Sequence, residues 1–235
     1  METALDSNWF GLLSLVVLVA ILGSVLYFNV RKPDQKEAAA YADLSRRRGW
    51  RVQRHMASGG KGYRVEVDPS DGNDWSCLVT RYFNMPTTVL TTEFRMPAAR
   101  ISEGMVVIGP AIPEAEAAMA ERLLGGLEGV IARLFLQDIE DDGIFDHLAD
   151  LRHAGPVALQ GATVFATASA DPTAIAQVFA PHLQRWTSTH RDDKAFPILI
   201  ITPRGLILRM RLDAAPLQLE GFMDMALAVA EDLPN

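Results

Sequence analysis

The sequence predicts an α+β fold: one amino-terminal transmembrane helix, then an antiparallel β-meander with amphipathic helices packed on it. Three observations carry that prediction. Phe10 to Phe28 is an uncharged apolar run with no counterpart elsewhere in the chain. Short segments of alternating polarity, separated by Gly, Pro, Asn and Asp, fill residues 50–108. Two later segments open on a proline and repeat apolar residues at helical spacing.

The apolar run, extended to Trp9 and Val30, covers about 22 residues, which as a helix is roughly 33 Å and enough to cross a hydrocarbon core. Its length, and bulky Leu26, Tyr27 and Phe28 at its end, argue against a cleaved signal peptide, which ends in small residues. Trp9 and Tyr27 suit the two membrane interfaces. Arg31 and Lys32 follow at once, then Lys36 and Arg46, Arg47 and Arg48, whereas residues 1–8 contain no Lys or Arg. Basic residues beside a membrane helix stay on the cytoplasmic side. The expected organisation is therefore a short outer tail (1–8), a transmembrane helix (9–30), a juxtamembrane basic helix (31–48) and a cytoplasmic domain (49–235) at the inner membrane. Subdomains at 49–136 and 157–235 are an alternative division of the last part.

Pro33 to Arg48 opens with acids and closes with bases before Gly49, an order that complements the helix dipole. Strands follow at Trp50–Arg54, Tyr63–Val67, Trp75–Phe83, Val89–Met96 and Met105–Ile108, expected to bury one face and expose the other through Arg51, Arg64 and Glu66. Pro113 to Leu136 reads as an amphipathic helix and Ile144 to Arg152 as a short one. Thr163–Ser169 is a strand. Asp171-Pro172 is a cap and first-turn proline opening a helix that buries Ile175, Phe179, Leu183 and Trp186. Phe196–Ile201 and Leu206–Leu212 form a hairpin around Pro203-Arg204-Gly205, and Pro216 opens a final helix.

FATASADPTAIAQVFAPHLQRW (Phe165 to Trp186), then FPILIITPRGLILRMRL and a closing helix, resembles bacterial single-pass membrane-anchored proteins of unknown function. RRRGW (Arg46 to Trp50) after a membrane helix adds to the likeness. The resemblance implies a bacterial inner-membrane setting and no catalytic residues.

The chain has 235 residues, is 49% hydrophobic and carries a formal charge of −7, which argues against a nucleic-acid surface. Its chemistry-bearing residues are sparse. Asp138, Asp141, Asp142 and His147 could hold a hard divalent cation, but their spacing lacks the regular alternation of a calcium loop, and a solvated loop explains them as well. His190-Arg191-Asp192-Asp193 reads as an exposed connector. Gly59-Gly60-Lys61-Gly62 lacks the spacing of a phosphate loop and reads as a hairpin turn. Cys77 sits inside a strand without a CxxC partner and reads as a small core residue. Arg209 and Arg211, with Arg204, read as a solvated strand edge, or alternatively as a seat for an anionic partner.

The expectation is thus a non-enzymatic cytoplasmic domain that binds or scaffolds proteins at the lipid bilayer, with no cofactor and no nucleic acid. Two alternatives stand beside it. One is a membrane-tethered metal-dependent hydrolase using the acidic loop. The other is a lipid or small-ligand carrier, which requires a large apolar pocket.

Overall fold

The structure, a computed structural model, describes residues 36–56, 62–84, 87–97, 101–112, 144–148, 150–154 and 159–233. The chain divides into two units, Met1–Arg47 and Arg48–Asn235. Residues 36–48 are helical (α1), within the predicted Pro33–Arg48 helix. Asp43 there pairs with Arg46 at 3.3 Å and Arg47 at 3.0 Å, one turn on. The predicted transmembrane helix, with Trp9, Tyr27, Arg31 and Lys32, lies outside the described residues, as do the predicted 113–136 helix and the Gly59–Gly62 turn up to residue 61. No helix among the described residues is long and apolar enough to cross a membrane.

The second unit is α+β. Among the described residues it has nine strands: β1 (Trp50–Met56), β2 (Gly62–Pro69), β3 (Ser76–Asn84), β4 (Thr87–Met96), β5 (Val106–Pro110), β6 (Arg152–His153), β7 (Ala162–Ala166), β8 (Ile198–Thr202) and β9 (Gly205–Met210). They form one sheet in the order β1-β2-β3-β4-β9-β8-β5-β7-β6, and each neighbouring pair is antiparallel. The predicted meander is correct through β4 and wrong at β5. The carboxy-terminal hairpin β8–β9 inserts between β4 and β5, so strands from both halves of the chain share one sheet. The reason lies in composition. ILIIT and GLILRM are buried at every position, so both faces and both edges of these strands need cover. β2 alternates instead, with Val65 and Val67 buried and Arg64 exposed, which suits one wet face.

One cross-strand row shows the inner face: Val52, Val67, Cys77, Phe94, Leu208, Leu199, Ile108 and Val164 lie opposite one another from β1 to β7. All but Val52 are fully or almost fully buried. Burial raises the Cys77 thiol pKa strongly, with the Glu93 charge adding to it, so Cys77 is the small core residue expected. Helices α3 (Pro172–Thr189) and α4 (Pro216–Asp232) pack on each other, and against β5 and β7, and β4, respectively. Thr92 pins the approach to α4: its hydroxyl donates to Leu212 O at 2.7 Å and accepts from Ala214 N at 2.9 Å. Arg48 hydrogen-bonds Glu220 at 2.7 Å and Asp224 on α4, and the Glu220 bond raises its already high pKa.

The start of α3 is the one the sequence announces. The Asp171 carboxylate accepts from Thr173 N at 2.9 Å and Ala174 N at 3.4 Å, and Ile175, Phe179, Leu183 and Trp186 are buried. Asp171→Ala is expected to lower unfolding free energy by about 0.5–2 kcal/mol. Urea titration checks this, and Asp171→Asn should recover most of the loss. The predicted Ile144–Arg152 helix is shorter than expected. Among its described residues Phe145–Leu148 (α2) is helical, and Arg152-His153 pairs with β7 instead. Leu148 and Leu151 nevertheless close an apolar cluster with Ile144, Val107, Phe165, Ile200 and Ile207 on the sheet face opposite Phe94.

Candidate binding cleft

The face opposite Phe94 changes character along a single row. Ser76 (β3), Arg95 (β4), Ile207 (β9), Ile200 (β8), Val107 (β5), Phe165 (β7) and His153 (β6) stand opposite one another in register. The half built from β1 to β4 is polar and open. The half from β9 onward is apolar and covered by Ile144, Leu148 and Leu151. The boundary falls between Arg95 and Ile207.

A cleft of about 390 Å³ opens on this boundary, within the size of ligand sites generally. The ends of five strands build it: Asp68 from β2, Asp74-Trp75-Ser76 entering β3, Arg95-Met96-Pro97 leaving β4, and Thr202 with Arg204 to Ile207 around the β8–β9 turn. Ile144 forms part of the wall against Ile200 and Ile207. The turn sits close to β4 because Gly205 has φ +147°, and a Cβ there would come within 2.2 Å of Met96 O. A smaller concavity of about 250 Å³ continues along the polar half, lined by Arg64, Thr80, Thr91 and Glu93, and it shares Arg95 with the cleft.

Beneath the boundary lies an ionic group that the sequence did not reveal. Glu93 is 7% exposed and stands directly opposite Arg209, which is 3% exposed. Arg209 Nη1 lies 3.8 Å from Glu93 Oε2, and Arg95 Nε donates to Glu93 Oε1 at 2.6 Å. The expectation of a solvated edge at Arg209 and Arg211 is therefore corrected. β9 is an internal strand, Arg209 is buried in it, and Arg211 is exposed past its end. Arg204, at the turn, is exposed and lines the cleft. An arginine in an otherwise apolar strand, LILRM, was the one available signal, since a charge in a strand buried on both faces needs a partner.

Of the metal candidates, Asp138, Asp141 and Asp142 lie outside the described residues. His147 lines a separate polar cleft of about 380 Å³ with Asp150, Arg152 and Ser169. Among the described residues no three His, Cys, Asp or Glu side chains gather as a metal would require. His190 belongs to the connector expected, but its ring stacks on Trp186 with centroids 3.7 Å apart.

Fold and cleft together define an α+β domain with an open, mixed-polarity cleft at one end of its sheet. No protein-family model matches the chain, and no curated protein matches it. Among solved structures it is similar to the crystal structure of the mycobacterial trehalose monomycolate transport factor A, TtfA. The TM-score is 0.40 and the identity 9%, over 84% of this chain and 94% of that one. So loose a likeness assigns no function.

Proposed function

We propose that this chain is a single-pass membrane-anchored protein whose cytoplasmic, non-enzymatic domain binds other proteins at the bilayer. The anchor rests on the apolar run at Phe10–Phe28, and the orientation on Arg31, Lys32 and the basic residues after them. The observation that carries the binding role is the cleft between the polar and apolar halves of the sheet face, where charged and apolar side chains stand side by side. That mixture suits the rim and core of a transient protein interface better than an all-apolar acyl cavity.

A photo-crosslinking residue at Ser76, exposed in the cleft, tests this in intact membranes. The expected result is a discrete protein adduct that is missing when the same residue is placed at Leu217, 83% exposed on α4. No adduct from Ser76, or the same adducts from both positions, would overturn the binding role. Release of the protein from vesicles by alkaline carbonate would overturn the anchor.

A further inference from the structure

We infer that the β2–β3 turn carries a site of spontaneous covalent modification, at which Asp71 cyclises onto the backbone nitrogen of Gly72 and reopens as an isoaspartyl linkage. The inference stands apart from the protein-binding reading and needs no ligand.

Asp71 is the one aspartate followed by glycine among the described residues; Asp142-Gly143 lies outside them. The residue after an aspartate decides whether the next backbone nitrogen can reach its carboxyl carbon. Asp68 and Asp171 precede prolines, which have no N–H. Asp74 and Asp213 precede Trp75 and Ala214, which are buried and hold their peptides in place. Gly72 has no side chain to block the approach, and its φ of +85° lies in the left-handed region that glycine enters freely. Residues 70–74 are all exposed. Among the described residues beyond its chain neighbours, no atom comes within 4 Å of the place a Cβ at Gly72 would take.

The turn also holds the carboxyl group where the attack begins. Asp71 Oδ1 accepts from Asn73 N at 3.2 Å, and Oδ2 accepts from Asn73 Nδ2 at 2.7 Å. Bonding to the backbone nitrogen two residues on folds the aspartate side chain back over the Gly72 peptide. One residue earlier, the Ser70 hydroxyl donates to Gly49 O and fastens the entrance of the turn.

The chemistry requires only water. The Gly72 nitrogen attacks Asp71 Cγ and a C–N bond forms. The carboxyl hydroxyl leaves with the amide proton as water, and a succinimide ring remains. Water then adds to either ring carbonyl. Addition at Cγ restores aspartate. Addition at the former main-chain carbonyl opens the ring the other way, so that the backbone runs through Cβ and Cγ and the main-chain carbon becomes a free carboxylate. Nothing is oxidised or reduced. The product has the same mass and one extra backbone carbon, placed between Asp68 and Asp74 of the cleft wall.

The test ages the full chain in detergent micelles in water enriched in oxygen-18, followed by digestion and fragment-ion mass spectrometry. Each reopened ring takes one oxygen atom from the solvent, so the peptide of residues 65–81 should gain label at Asp71. Part of that peptide should elute as a separate isomer and accept a methyl group from protein isoaspartyl methyltransferase. Asp71→Ser keeps a side-chain oxygen for the turn but has no carboxyl carbon, and it should lose both signals. Asp71→Asn should react faster than the wild type, releasing ammonia in place of water. Unchanged melting midpoints of the fresh variants will show that the fold is intact. Label confined to the Asp142-Gly143 peptide, undiminished signals in Asp71→Ser, or an inert Asp71→Asn variant would overturn the inference. So would labelling of Asp71 that begins only once urea has unfolded the chain, because the folded turn would then be protective.

Discussion

Glu93→Ala is expected to destabilise the domain by about 3–5 kcal/mol, the usual consequence of removing one member of a buried ion pair. Glu93 lies between Arg209, opposite it on β9, and Arg95 on its own strand. Without the carboxylate, a guanidinium that is 3% exposed remains in the sheet interior with less compensation. The urea midpoint should fall with little change in slope. The paired change Glu93→Leu with Arg209→Met removes both charges and keeps the volume. It should recover more than half of the loss, because replacing a whole buried pair is often neutral or stabilising. A double variant no more stable than Glu93→Ala would show that the ionic group is not what the single change disrupts.

Phe94→Ala, one residue along and on the opposite face, should cost about 3–5 kcal/mol by a different mechanism. Phe94 is fully buried, stands between Cys77 and Leu208 in the inner row, and has its ring centroid 6.0 Å from that of Trp75. Truncation removes apolar contact area and leaves a cavity that a sheet held from both sides cannot close. Phe94→Leu should lose clearly less, since it retains most of the volume. Trp75 gives a local signal, so its fluorescence should shift in the folded Phe94→Ala variant. A loss under about 1 kcal/mol would mean that the helices close over the gap. Adjacent residues on one strand would thus report separately on the ionic and apolar faces.

How far each feature could be read from the chain follows the range of the interaction behind it. The Asp171 cap, Pro172, the Ile175–Trp186 stripe and the β8–β9 hairpin depend on residues within a few turns of one another, and the structure has them where periodicity and capping place them. The polar face of β2 was legible from alternation alone. The position of β5 was not. Val106–Pro110 and Ala162–Ala166 are short apolar strands that satisfy local rules equally well beside β4 or beside β8, and only competition for burial decides between them. The cleft was not legible either, because it sets the ends of β2, β3 and β4 against the β8–β9 turn, which follows more than 100 positions later. Nor was the partner of Arg209, which is 116 positions away at Glu93 and is set by the register of β4 on β9.

The sequence by itself determined the α+β class, the order of most strands and helices, the apolar run near the start and which face of each alternating strand would be wet. Those properties follow from the periodicity and chemistry of neighbouring residues. Only the tertiary structure decided that the last hairpin occupies the middle of the sheet, that Arg209 is an interior charge rather than an edge, and that Asp68, Asp74 and Trp75 meet Ile200 and Ile207 across one cleft. These depend on pairing between distant strands. A strand that is apolar on both faces must take whichever neighbours cover it, and no local pattern says which those are.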